Sequence, residues 1–302
     1  MGVEVIIPAY RPDERLNLLL DRLNTQTVTP QRVTVVLSTD SDADRDRYSI
    51  STDPDVELSF ELSVEYISRA SFGHGKTRQE YLSGSEAEYV LLMTQDAIPY
   101  DDMLIERLLL SVNAPDVAVA YARQLPFSDA DPIERFTRIY NYPSKSHVRT
   151  ASDMDKYGIK AIFSSDTCAM YSRNLHNRIG GFDVNAEFGE DAVFAYNALV
   201  KGYKVAYCAE AKVFHSHNYT AGQYFRRSIA IAASQQKHPE IYESLKSESE
   251  GMRYFLKGAA YFAKKHKYKN IISLFNVCTV RYAGYFVGKH AFLKNIVLGV
   301  FK

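Results

Sequence analysis

A few short stretches carry side chains suited to chemistry. In VLLMTQDAIP (90–99) the apolar run Val90–Met93 ends at Thr94-Gln95-Asp96. Sites that hold a metal–diphosphate commonly end a buried strand in two acids one residue apart. Here only Asp96 is acidic, which leaves a one-carboxylate metal site, a site of another kind or a plain strand end. In FGHGKTRQ (72–79), Gly73 and Gly75 flank His74 and precede Lys76, Thr77 and Arg78. The segment opens a helix, where free N–H groups and the positive dipole end favour phosphate, and Arg78 adds a fork suited to phosphate or carboxylate. An ordinary glycine turn and a structural ion pair for Arg78 explain the same residues. Tyr10 offers a flat face to a base, and Asp40 or Asp42 can accept an N–H from a pyrimidine. Glu190-Asp191 open a helix, where capping and dipole effects account for carboxylates. His215-Ser216-His217 turn both rings to one face of a strand, as a metal site, a polar site or a bare surface would have them.

These residues must be positioned by alternating elements. Strands are expected at Val3–Pro8, Arg32–Leu37, Val64–Ser68, Tyr89–Met93 and Val117–Tyr121. Helical spacing runs through Arg15–Leu23, from Gly75 to Leu82, and through Asp101–Val112. The β-α-β-α rhythm implies a mainly parallel α/β sheet with helices on both faces. Ligands bind outside the carboxyl ends of such strands, which is where Ala9-Tyr10-Arg11, the 38–44 loop, the 71–78 loop and Thr94-Gln95-Asp96 fall. Further on, a helix from Glu190 ends near Gly202, and the strand VAYCAEAKVF leads into His215.

The chain has 302 residues, 46% hydrophobic and 24% charged, as an ordinary globular protein does. Three scattered cysteines argue against a disulfide framework and suit a reducing compartment. No secretory signal is apparent, and no apolar run is expected to reach the roughly 18–20 residues of a membrane span. The net charge of zero hides an asymmetry. Residues 251–302 carry ten Lys or Arg and no acid, whereas the remaining 250 carry 26 against 36 Asp and Glu. Such a basic end calls for an anionic partner or packs on the acidic body. With no recognisable nucleic-acid motif beside it, nucleic acid is not expected. Met252–Lys265 and Ala291–Lys302 have amphipathic spacing with flanking lysines, suited to an anionic membrane surface or to packing on the protein.

The ordered series IIPAY, acid-rich loop, GHGKTRQ, LLMTQDAIP, GGFD…GED and VFHSH resembles family 2 glycosyltransferases of the GT-A fold. HGKTRQ, TQDAIP, RQLPFSDADPIERF (123–136) and HSHNY…FRR (215–227) are similar to the bacterial rhamnosyltransferase branch. The resemblance runs from Val3 to about Arg227. It implies a catalytic domain over 1–227, with a nucleotide-binding half to about 122 and an acceptor half from 123, and a helical region over 228–302.

The resemblance also implies roles. Pro8, Ala9, Tyr10 and Arg11 line the base pocket. Asp40, or else Asp42, bonds the base, because Leu37 stands where many relatives have Asp. His74, Gly75, Lys76, Arg78 and Gln95 serve the donor, and Asp96 holds Mg²⁺ or Mn²⁺. His215, or alternatively His217, approaches the metal or diphosphate. Asp191 acts as base, and Glu190 orients it or binds acceptor. The implied reaction is an inverting transfer of L-rhamnose from dTDP-L-rhamnose to a surface polysaccharide or lipid-linked glycan, by a cytoplasmic protein peripheral to the inner face of the cell membrane. Another UDP- or dTDP-hexose as donor, or a non-catalytic binding protein on this scaffold, are the alternatives.

Overall fold

The structure is a computed structural model and describes residues 2–41, 44, 48, 50, 57–245 and 250–290. Asp42 and the amphipathic segment 291–302 lie outside the described residues.

A nine-stranded sheet forms the centre. β1 (Val3–Tyr10), β2 (Arg32–Thr39), β3 (Glu61–Ser68) and β4 (Tyr89–Met93) make a parallel block in the order β3-β2-β1-β4. α1 (Glu14–Asn24), capped by Asp13, links the first two strands, and α2 (His74–Gly84) precedes β4. Beyond β4 the sheet becomes mixed. β8 (Cys168–Ser172) runs antiparallel to β4 and β6 (Val117–Leu125), and β9 (Lys204–Phe214) runs parallel to β6. β5 (Ile98–Pro99) and β7 (His147–Arg149) pair antiparallel with β9.

Both sheet faces are covered, which explains the continuous apolar runs in the strands. Val5, Ile7, Leu91 and Met93 enter one core layer, and Ile6, Val90 and Leu92 enter the other. The first layer is closed by α1 and α3 (Leu104–Val112), through Leu16, Leu19, Leu104 and Leu108. The second is closed in part by α6 (Arg173–Ile179) and α7 (Glu190–Val200), through Ile179, Phe194 and Leu199.

Helices dominate after β9. α4 (Pro132–Asn141) packs with α10 (Glu250–Lys264) and α11 (Tyr268–Lys289) around Ile133, Phe136, Tyr254, Phe262 and Leu274. α8 (Ala221–Gln235), capped by Thr220 and Gln223, runs against α11, and the short α5 (Asp153–Tyr157) and α9 (Pro239–Tyr242) complete the set. α11 is long and apolar enough to match a membrane span by length and composition. Arg281 is its only charged residue between Lys269 and Lys289, but Asn270, Ser273, Asn276 and Thr279 also interrupt its apolar and aromatic residues, so it holds no long unbroken apolar run.

Candidate active site

The carboxyl ends of the parallel strands gather the residues implied for the nucleotide. Ala9 is buried in register with Leu37, itself a core residue, while Tyr10 emerges beside Ser38. Arg11 follows with φ +45°, turning the chain off the sheet. Two guanidiniums approach the Tyr10 ring, with Arg11 Cζ at 5.2 Å and Arg69 Cζ at 5.3 Å from its centre. Asp40 pairs with Arg69 at 3.6 Å. Gln95 ties the ends of β1 and β4 together. Its Oε1 accepts the Tyr10 N–H at 2.8 Å, and its Nε2 donates to the Tyr10 carbonyl at 3.2 Å.

Asp96, His215 and His217 converge from the ends of β4 and β9. Their ligand atoms all lie within 4.8 Å of one another. His215 Nε2 is 3.6 Å from one Asp96 oxygen, His217 Nε2 is 3.4 Å from the other, and the two ring nitrogens are 3.0 Å apart. Gln124 Oε1 lies 2.9 Å from His215 Nδ1. A carbonyl oxygen only accepts, so Nδ1 carries the proton and Nε2 presents a lone pair to the cluster. Burial, reinforced by the Arg138 guanidinium, holds His215 neutral; burial likewise lowers the His217 pKa, against the pull of Asp96. Two neutral imidazoles and one carboxylate converging on a point fit a divalent cation.

A second polar group lies deeper. Arg78 is buried and bridges Glu190, in direct ion contact, and Asp166, 3.6 Å from its Nε. Its fork is therefore occupied by two acids of the same wall. Glu190 is spent on Arg78 and makes no helix cap; Gly189, at φ +79°, is the residue before α7. Asp191 accepts the Ala192 N–H at 2.8 Å and the Asp166 N–H at 3.3 Å. Tyr171 donates its hydroxyl proton to Asp166 at 2.5 Å. Burial raises the pKa of Asp191 against the pull of Arg78, and pushes Asp166 up to about 7, with Asp191 adding to the rise.

The glycine loop has a local explanation. A Cβ on Gly75 would come within 2.1 Å of the Asp183 carbonyl oxygen, so glycine is required where α2 meets the Phe182-Asp183 turn. Gly73 is the residue before α2 and makes no such contact with backbone. Lys76 is exposed, and His74 reaches the cleft wall, its ring 5.9 Å from Phe188.

One cleft of about 630 Å³ joins these groups, lined among others by His74, Arg78, Asp96, Asp191, His215 and His217. Pro8, Ala9, Tyr10, Arg11 and Asp40 lie outside its lining. Residues not singled out from the sequence complete it: Gln124, Glu134, Arg138, Asp166, Arg227 and Arg281. Gln124 sits at the end of β6, where the strand-end rule would have found it. Asp166 precedes β8 in an unpatterned stretch, and Arg281 comes from a helix remote in sequence; neither carries a local signal.

The model of glycosyl transferase family 2 matches residues 4–180. The chain is a family 2 glycosyltransferase. This glycosyltransferase is 33% identical over 292 residues to the O-antigen chain rhamnosyltransferase RfbN of Salmonella typhimurium, covering 96% of this chain and 90% of the relative. It is 32% identical over 289 residues to the O-antigen chain rhamnosyltransferase WbaN of Salmonella anatum, covering 95% and 89%. In fold it is similar to the mannosyltransferase PcManGT from Pyrobaculum calidifontis in complex with GDP-Man and Mn²⁺, with TM-score 0.60, 18% identity and coverage of 95% and 86%. It is also similar to S. aureus TarS 1–349 in complex with UDP-GlcNAc, with TM-score 0.53, 15% identity and coverage of 98% and 92%. The expected GT-A architecture is thus the one observed.

Proposed function

We propose that this glycosyltransferase moves L-rhamnose from dTDP-L-rhamnose, with inversion, onto a growing O-antigen-type or other lipid-linked bacterial surface polysaccharide. The observation that carries the sugar is the match, over nearly the whole chain, to two O-antigen chain rhamnosyltransferases. The mechanism is supported by one cleft that holds both the Asp96–His215–His217 cluster and Asp191.

Tyr10, approached by Arg11 and Arg69, stacks on the base, and Asp40 accepts a base N–H. Asp96, His215 and His217 would hold Mn²⁺ or Mg²⁺, which would supply charge neutralisation for a departing diphosphate. Gln124 fixes the His215 tautomer. Asp191 takes the proton of the acceptor hydroxyl, whose oxygen attacks the anomeric carbon from the face opposite the diphosphate. Glu190 and Asp166, clamped by Arg78, keep the start of α7 and its Asp191 in place. The enzyme works at the inner face of the membrane, where a lipid-linked acceptor is presented.

A screen of dTDP- and UDP-hexoses for metal-dependent turnover tests this reading. dTDP-L-rhamnose should be the preferred donor. Preference for a UDP-hexose would overturn the assignment of the sugar, and no turnover with any donor, metal and acceptor would favour a binding protein on this scaffold.

A further inference from the structure

Among the described residues, nothing covers the outer face of α11 along its length. Tyr268, Ile272, Phe275, Tyr282 and Phe286 are 47–72% exposed. With exposed Thr279 they recur at alternating steps of four and three residues, which keeps them on one stripe of the helix. Met252 and Leu256 of α10 are exposed as well, on either side of Phe255, whose ring meets Phe275 edge-on at 6.1 Å.

The inner face is committed to the protein. Leu274 is fully buried, and Gly284 and Gly288 sit hard against α8. A Cβ at either glycine would come within 2.5 Å of a backbone oxygen, that of Phe225 or Ile229. At ~1.5 Å per residue the helix is about 33 Å long, enough to cross a bilayer. Clamped along α8, it cannot cross one without carrying the polar catalytic body with it.

Charge chooses among the occupants left. Lys264, Lys265, Lys267 and Lys269 are exposed around the start of α11 and Lys289 at its end. No Asp or Glu occurs after Glu250. Two copies stacked stripe to stripe would bring lysine against lysine in either relative orientation. An anionic lipid surface neutralises those lysines and accepts the aromatic and aliphatic stripe between them.

We propose that α11 lies in the plane of an anionic membrane interface, its Tyr268–Phe286 stripe sunk at the headgroup–acyl boundary and its terminal lysines on the headgroups. Arg281 of the same helix lines the catalytic cleft, so seating the stripe brings the cleft to the bilayer. The purpose of this seat rests on the lipid-linked acceptor proposed above; the seat itself is tested without any transfer.

The test is co-sedimentation of the full chain with vesicles of phosphatidylcholine alone or mixed with phosphatidylglycerol. Wild type should bind the phosphatidylglycerol vesicles, less so at high salt. The triple variant Ile272→Glu/Phe275→Glu/Tyr282→Glu should bind at least about tenfold more weakly, while donor hydrolysis stays unchanged because none of the three lines the cleft. Equal vesicle binding by the variant would overturn the proposal. So would a wild-type dimer in solution that the variant dissociates without any vesicle binding by wild type, or membrane association that resists alkaline carbonate, the mark of a spanning helix. If the vesicle results hold but no sugar nucleotide is turned over, the proposed function fails and this surface stands.

Discussion

Replacing Asp191 by Asn removes the proposed base while leaving its surroundings nearly intact. The carboxylate receives two backbone N–H groups, from Ala192 and Asp166. An amide oxygen keeps one of these bonds, and losing the other costs about 1 kcal/mol of stability. Removing a negative charge that burial disfavours offsets that loss. The fold and the donor affinity should therefore persist, with donor Kd within about threefold of wild type. Transfer should fall roughly 100- to 10,000-fold, or about 3–5 kcal/mol in the barrier at 1.36 kcal/mol per decade. Calorimetric donor binding alongside steady-state transfer separates the two. Glu190→Gln is the contrasting control. It removes one of the two carboxylates that face the buried Arg78, leaving Asp166, and should destabilise the fold by about 1–3 kcal/mol, which appears as a lower Tm. Near-wild-type turnover by Asp191→Asn, or an equal loss of donor binding and turnover, would refute the assignment.

Other consequences are measurable. Gln124→Ala frees the His215 tautomer and should weaken metal-supported activity about 10- to 100-fold, read from the Mn²⁺ dependence of turnover. The acid limb of the pH–rate profile should lie above the usual carboxylate range, because burial raises Asp191 and Asp166 and a base must be ionised to act. Stability follows the opposite sign: a carboxyl whose folded pKa is raised binds its proton more tightly when folded, so Tm should fall as pH rises from about 4 toward 7, less steeply in Asp166→Asn. Gly75→Ala drives a methyl against the Asp183 carbonyl and should cost about 1–3 kcal/mol, visible in a thermal melt.

Much of the framework was legible because its signals are local. Val3–Pro8 and Tyr89–Met93 are apolar runs ended by turn chemistry, and both are strands of the parallel block. The helix from Glu190 begins where its carboxylates stand, although one of them serves Arg78 rather than the helix end. α4 carries start signals that apolar spacing does not show: Asp131, whose side chain accepts two N–H groups, and Pro132 behind it. β8 is five residues long and buried from Cys168 to Tyr171, so it shows no alternation to detect. The Asp96–His215–His217 cluster was half visible: each strand end pointed to its residues, but only the β4–β8–β6–β9 order brings them together. Arg78 illustrates the limit, since its spacing fits a phosphate ligand and its buried acids lie 88 and 112 positions away.

The most direct measurement is product analysis of the purified enzyme incubated with dTDP-L-rhamnose, Mn²⁺ and a lipid-linked glycan acceptor. NMR of the product should show a new rhamnosyl linkage with the anomeric configuration opposite to that of the donor, absent with chelator and restored by adding metal back. A product with the donor's configuration, or transfer indifferent to the chelator, would contradict an inverting, metal-dependent rhamnosyl transfer.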